Sequence, residues 1–239
     1  MKTGKNTRKN TRHSKRHLRR WAKIAINFIV CVITYFACFY TATGVLKLID
    51  SHKNNDNANL AFMEYQDSEE YFQEHIEDFK KWKRKEWMNE DDLEEKLRLC
   101  QIACNYELIH AGIHKNIDVK AKNLREHVLG QYRDSRKIIE IDKEFLMCAT
   151  PTEVYNIVAH EVTHCKQAEE VRAYKSTDLR YQDLILFDEI KIYEFEIKNY
   201  IDGEEDISEY AKQTVEITAR LNALEREEET FAKIDSIPD

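Results

Sequence analysis

The sequence predicts an α+β chain that is mostly helical, with an amino-terminal transmembrane helix ahead of a domain that holds a small β-sheet. Three observations carry that prediction. Only 5 Gly and 2 Pro stand against 34% charged residues in 239, a balance that disfavours turn-dense all-β architectures. A single apolar run, residues 24–46, is long enough to cross a bilayer. A stretch of period-two alternation, residues 117–141, is flanked on both sides by segments with helical periodicity.

Residues 1–23 form a basic head with ten Lys or Arg and no acid. The run from Ile24 to Leu46, IAINFIVCVITYFACFYTATGVL, has Asn27 as its one strongly polar side chain. It is longer than the apolar part of a signal peptide and no small-x-small cleavage site follows, so an uncleaved, single-pass signal anchor is expected. The basic head outweighs Lys47 and Lys53 on the far side, which keeps the amino terminus cytoplasmic and puts the remainder outside the cell membrane. Beside a lipid bilayer the head suits anionic headgroups, and no nucleic-acid partner is expected. Residues 47–60, with the aperiodic SHKNNDNAN, read as a linker.

Residues 61–115 read as a helical subdomain. Asp67 and Glu70 have capping-box spacing ahead of Tyr71, Phe72, Ile76, Phe79 and Trp82. Asn89 is placed to cap a second helix that turns Leu93, Leu97, Cys100, Cys104 and Ile109 inward. HAGIH, with His110 and His114, contains Gly112 and reads as a helix terminus. Cys100, Cys104, Cys148 and Cys165 make an even set in an exported domain, so two disulfides or four buried thiols are both open.

Residues 116–203 form the core segment. Ile117, Val119 and Ala121 alternate with polar residues, HVLGQY surrounds Gly130, RDS makes a turn, and KIIEI runs from Lys137 to Ile141, together a small sheet with a hairpin. Thr150, Pro151 and Glu153 then start a helix expected from Pro151 to about Val171. Another follows from Asp178 to Ile201, stopped by Gly203. Residues 204–239 carry a last helix, about Ile207 to Ala232, with Ile207, Tyr210, Ile217, Leu221 and Leu224 on one face and the acids of Glu225 to Glu229 in solvent.

The helix from Pro151 contains AHEVTHC, in which His160 and His164 are four residues apart and Glu161 follows the first. Residues four apart on a helix lie above one another, so both imidazoles reach one ion. Two neutral His and a carboxylate hold Zn²⁺ and leave a position for water, and Glu161 is placed to take that water's proton. With this motif the chain resembles the zincin metallopeptidases, and in particular the gluzincin branch, from about Ile117 to Ile201. The resemblance implies a zincin-like domain, Zn²⁺ as cofactor, a peptide or protein substrate, and a third metal ligand that is a Glu on the following helix. The candidates there are Glu189, with Glu194 in reserve and Glu196 after it. It also implies that the strand Lys137 to Ile141 is an edge that holds peptide by β-augmentation, and that an oxyanion donor such as Tyr193 stands near the metal.

A membrane-anchored zinc metallopeptidase is therefore the leading functional expectation. The alternative is a non-catalytic, membrane-tethered helical module that binds a protein partner through the region of Trp82 and Trp87.

Overall fold

A computed structural model of the chain describes residues 67–238, which lie within one compact unit, Asn59–Asp239. The basic head, the span Ile24–Leu46, the whole linker 47–60 and residues 61–66 lie outside the described residues. Among the described residues no helix is long and apolar enough to cross a membrane. The unit is mostly helical with a small three-stranded sheet.

Three short helices come first, α1 (Ser68–Glu74), α2 (Ile76–Lys80) and α3 (Arg84–Asn89), where one long helix was expected. Asp67 does cap the first, but its carboxylate accepts from the Glu69 amide, and no box with Glu70 forms. Asn89 ends α3, and the cap of α4 (Leu93–His110) is Asp92, whose side chain accepts from Glu94 N. Gly112, at φ +69°, closes α4 in the left-handed region that glycine enters without strain, so HAGIH is a helix terminus.

The sheet holds β1 (Asp118–Lys122), β2 (Gly130–Arg133) and β3 (Ile138–Asp142) in the order β1-β3-β2. β3 pairs in parallel with β1 and antiparallel with β2. The expectation that KIIEI is an edge is thereby corrected: its backbone is hydrogen-bonded on both sides, and the edges are β1 and β2. Ile138, Ile139 and Ile141 are buried, as in a central hydrophobic strand, and the buried Glu140 accepts from Lys122, Gln131 and Arg133.

Next come α5 (Lys143–Cys148), the long α6 (Pro151–Ser176), a 3₁₀ turn (Ile185–Phe187), α7 (Asp188–Lys198), α8 (Ile207–Lys212) and α9 (Thr214–Ser236). The capping box of Thr150 and Glu153 is formed, with Pro151 in the first turn, and α6 runs beyond Val171. The helix expected from Asp178 starts ten residues late. Asp178 folds back to accept from Arg180 N, and Gln182 Nε2 bonds the Thr177 carbonyl, so the chain turns before it coils. The last helix breaks at Gln213, and its buried face is Val215, Ala219, Ala223, Thr230 and Ile234; Ile207, Leu221 and Leu224 are exposed.

The larger of the two apolar clusters among the described residues runs from Tyr71 to Ile237 and gathers the helical, sheet and carboxy-terminal segments around α4 and α6. Trp82 and Trp87 stack at 4.6 Å within it, and Trp87 Nε1 donates to the Ala149 carbonyl. Burying side chains of this size stabilises the fold by about 2–3 kcal/mol each. None of Cys100, Cys104, Cys148 and Cys165 is bridged. The first two and Cys165 are buried thiols, Cys148 is exposed, and burial pushes the Cys100 and Cys104 thiols up.

Candidate metal centre

Two elements build the site. α6 turns Val154, Tyr155, Val158, Ala159 and Val162 into the core, which leaves His160 and His164 at the border of that face with side chains 14% and 20% exposed. α9 lies against α6, because the small side chains of Ala219 and Ala223 let the two helices approach. One residue after Val215 in that contact stands Glu216, fully buried, and its carboxylate meets the two imidazoles.

The distances suit one ion. His160 Nε2 and His164 Nε2 are 3.0 Å apart, Glu216 Oε2 is 3.5 Å from His160 Nε2, and Glu216 Oε1 is 3.4 Å from His164 Nε2. A tetrahedral Zn²⁺ with bonds of roughly 2.0–2.1 Å requires ligand atoms about 3.4 Å apart. Glu216 Oε2 is buried without a hydrogen-bond partner, an orphaned acceptor that a cation would satisfy.

Supporting hydrogen bonds fix these side chains. His164 Nδ1 is 2.9 Å from Gln167 Oε1, which directs the Nδ1 proton to that oxygen and leaves Nε2 free to ligate. Gln167 Nε2 donates to the Val215 carbonyl at 2.9 Å, so one side chain ties the ligand on α6 to the helix that bears the third. Tyr200 Oη donates to Glu216 Oε1 at 2.6 Å. Burial opposes charge on Glu216, but the two imidazoles and Tyr200 hold its carboxyl far below the usual carboxylate range. Burial likewise opposes charge on His164, yet the Glu216 hydrogen bond and the charges of Glu161 and Glu216 lift it to about 9. The pocket thus demands positive charge.

The expected third ligand is corrected by this geometry: Glu216 joins the histidine pair, and Glu189 does not. The Glu189 carboxylate accepts from Tyr193 Oη at 2.5 Å within its own helix. Glu194 pairs with Lys175 at 3.1 Å, and Glu196 Oε2 accepts from Val215 N at 2.9 Å at the start of α9. The physical reason is the late start of α7, which leaves the face opposite the histidines to α9. Glu216 lies 52 residues after His164, in a buried run of Val215, Ala219 and Ala223 whose four-residue spacing was the available signal.

Tyr193 is buried among Val171 and Val215, with its hydroxyl committed to Glu189, and it does not line the cleft. The tyrosines that do are Tyr132, Tyr200 and Tyr210. Burial and the nearby Glu216 push the Tyr210 phenol up, so it stays a hydrogen-bond donor. Glu161 is 5% exposed and lines the same cleft of about 900 Å³. Gly130 of β2 lies so close that a Cβ there would sit 2.4 Å from Ile157 Cγ2 and 3.2 Å from Glu161 Oε1. At Gly130 a side chain would crowd the helix.

No family model matches the chain, and neither a curated protein nor a solved structure is significantly similar to it.

Proposed function

We propose that this chain is a zinc-dependent peptidase tethered to the membrane by residues 24–46, with its catalytic domain outside the cytoplasm. The observation that carries the reading is the convergence of His160, His164 and Glu216 at ligand spacing, with a buried carboxylate oxygen left over and Glu161 beside them. Those three residues would hold the ion. Zinc, when bound, supplies Lewis acidity, which acidifies water and polarises a carbonyl oxygen.

The chain's own groups supply the rest. Glu161 takes the proton of the attacking water on its carboxylate and delivers it to the leaving amine nitrogen. It lies at the wall of the cleft beside Gly130, largely shielded from solvent. Tyr210, kept protonated, can donate its hydroxyl hydrogen to the oxyanion. The outer edge of β2 lines the cleft through Leu129, Gly130, Gln131 and Tyr132, and there a peptide gains main-chain hydrogen bonds in register with Glu161.

Elemental analysis of the purified full chain tests this. About one zinc per chain is expected, lost in His160→Ala and Glu216→Ala and kept in Glu189→Ala, and Glu161→Gln keeps zinc while its peptide turnover falls by at least about 10³-fold. A folded chain without zinc, or an unimpaired Glu161→Gln, refutes the peptidase and leaves a tethered binding module.

A further inference from the structure

One stretch of the chain concentrates exposed apolar surface. Of the large hydrophobic side chains exposed among the described residues, all but Met88 and Leu129 lie between Leu179 and Leu224. Ile185 is 86% exposed, Leu179 79%, Ile207 69% and Phe195 68%. Single exposed apolar residues are ordinary, whereas a concentration of this size marks a surface that something covers. Ile197, Tyr200 and Ile207 belong both to it and to the wall of the cleft, so the surface leads into the site.

Charge decides what covers it. Residues 178–213 hold eleven Asp or Glu against four Lys or Arg, a net of −7. A second copy would set like charge against like, and an anionic lipid surface would be repelled in the same way. A partner that is both apolar and basic is attracted on both counts. The cleft mouth displays the contact in miniature: from the segment after β1, Arg125 reaches Asp202 at 2.7 Å and Glu204 at 3.1 Å. Those two acids already grip a guanidinium at the cleft edge, and a basic substrate side chain offers them the same chemistry.

We propose that the substrates of this cleft are cationic amphipathic peptides, whose apolar side chains cover the surface between Leu179 and Leu224 while their Lys or Arg side chains pair with its acids, Asp202 and Glu204 among them. The inference names a substrate class for the peptidase and so rests on that reading.

The test uses the full chain in detergent micelles, carrying Glu161→Gln so that binding is read without turnover. The probe is a fluorescein-labelled synthetic peptide of Leu and Lys with helical periodicity, beside the same peptide with Glu for Lys. The Lys peptide should bind on the order of tenfold more tightly, lose affinity as salt rises, and lose about another tenfold in the double variant Ile185→Ser, Phe195→Ser. Asp202→Asn with Glu204→Gln should weaken it as well, and zinc content should stay unchanged in all of these. Equal binding of the two peptides, or indifference to both double variants, overturns the proposal. So does Lys-peptide binding that vanishes when the chain sits in phosphatidylcholine vesicles, which would make lipid the cover, or a dimer that Ile185→Ser, Phe195→Ser dissociates. If the parent cleaves neutral or acidic peptides but the Lys peptide does not bind, this inference alone fails. If the Lys peptide binds as described and the chain holds no zinc, the peptidase reading fails and the assignment of the surface stands.

Discussion

Gln167 is the residue on which the candidate site turns. Its amide takes the proton side of His164 and at the same time holds the Val215 carbonyl, so it sets both the ring's orientation and the position of the helix that carries Glu216. Replacing it by Leu keeps the volume and removes both bonds. Zinc affinity, read by competition with a chelator, should fall about 10–100-fold, with little change in helix content by circular dichroism. A second residue governs acid stability. Hydrogen bonds from Arg98 and Lys81, at 2.7 and 2.6 Å, hold the Glu95 carboxyl down at about 2. A carboxylate depressed in the fold contributes stability that is complete above its ordinary value of 4.5 and lost as pH falls toward 2. Glu95→Gln should therefore flatten the decline of unfolding free energy between about pH 4.5 and 2, as read by urea titration.

Between α6 and β2 a side chain at Gly130 would crowd the helix. Gly130→Ala puts a methyl group 2.4 Å from Ile157 Cγ2 and 3.2 Å from Glu161 Oε1, so the Ile157 side chain or the strand must shift. Peptide turnover should drop by at least about tenfold while zinc content is preserved, since the ligands sit on α6 and α9. Equal turnover in the variant would separate β2 from the chemistry. Reading the elements from sequence succeeded where local signals are strong. The Thr150 box with Pro151, the alternation around Val119, and Gly112 at the end of α4 each fixed a boundary by short-range geometry. It failed where turns are made by side chains that any window can also place in a helix, as with Asp178 and Gln182, and where three short helices share one apolar period between Asp67 and Asn89.

Across the described residues as a whole, the register of α9 is set far from the candidate metal centre. Ten residues beyond Glu216, or about 15 Å along the helix, Arg226 makes two bonds to the buried Glu107 of α4, at 2.8 and 3.2 Å. Tyr155 of α6 donates to the same carboxylate, with Thr230 Oγ1 2.9 Å from its hydroxyl. This network bolts α9 to α4 and α6, and Glu216 is delivered to the histidines as a consequence. Arg226→Met leaves Glu107 buried without its cation and should cost about 3–5 kcal/mol in urea unfolding, with weaker zinc binding through the loosened helix.

By itself the sequence determined the helical bias, the small sheet, the apolar run ahead of the domain and the pair His160 and His164 with Glu161 between them, because each is written within one turn or one strand and depends only on neighbours in the chain. It could not determine which carboxylate joins that pair or which strands form the edges of the sheet. Ten acids stand from Asp188 to Glu216, alike in their chemistry, and KIIEI reads the same as an edge or a centre. The choice fell to packing. Ala219 and Ala223 bring α9 against α6, which buries Glu216 beside the histidines, and the parallel pairing of β1 with β3 moves the open edge to β2. Both outcomes follow from contacts between residues tens of positions apart, which no local pattern encodes.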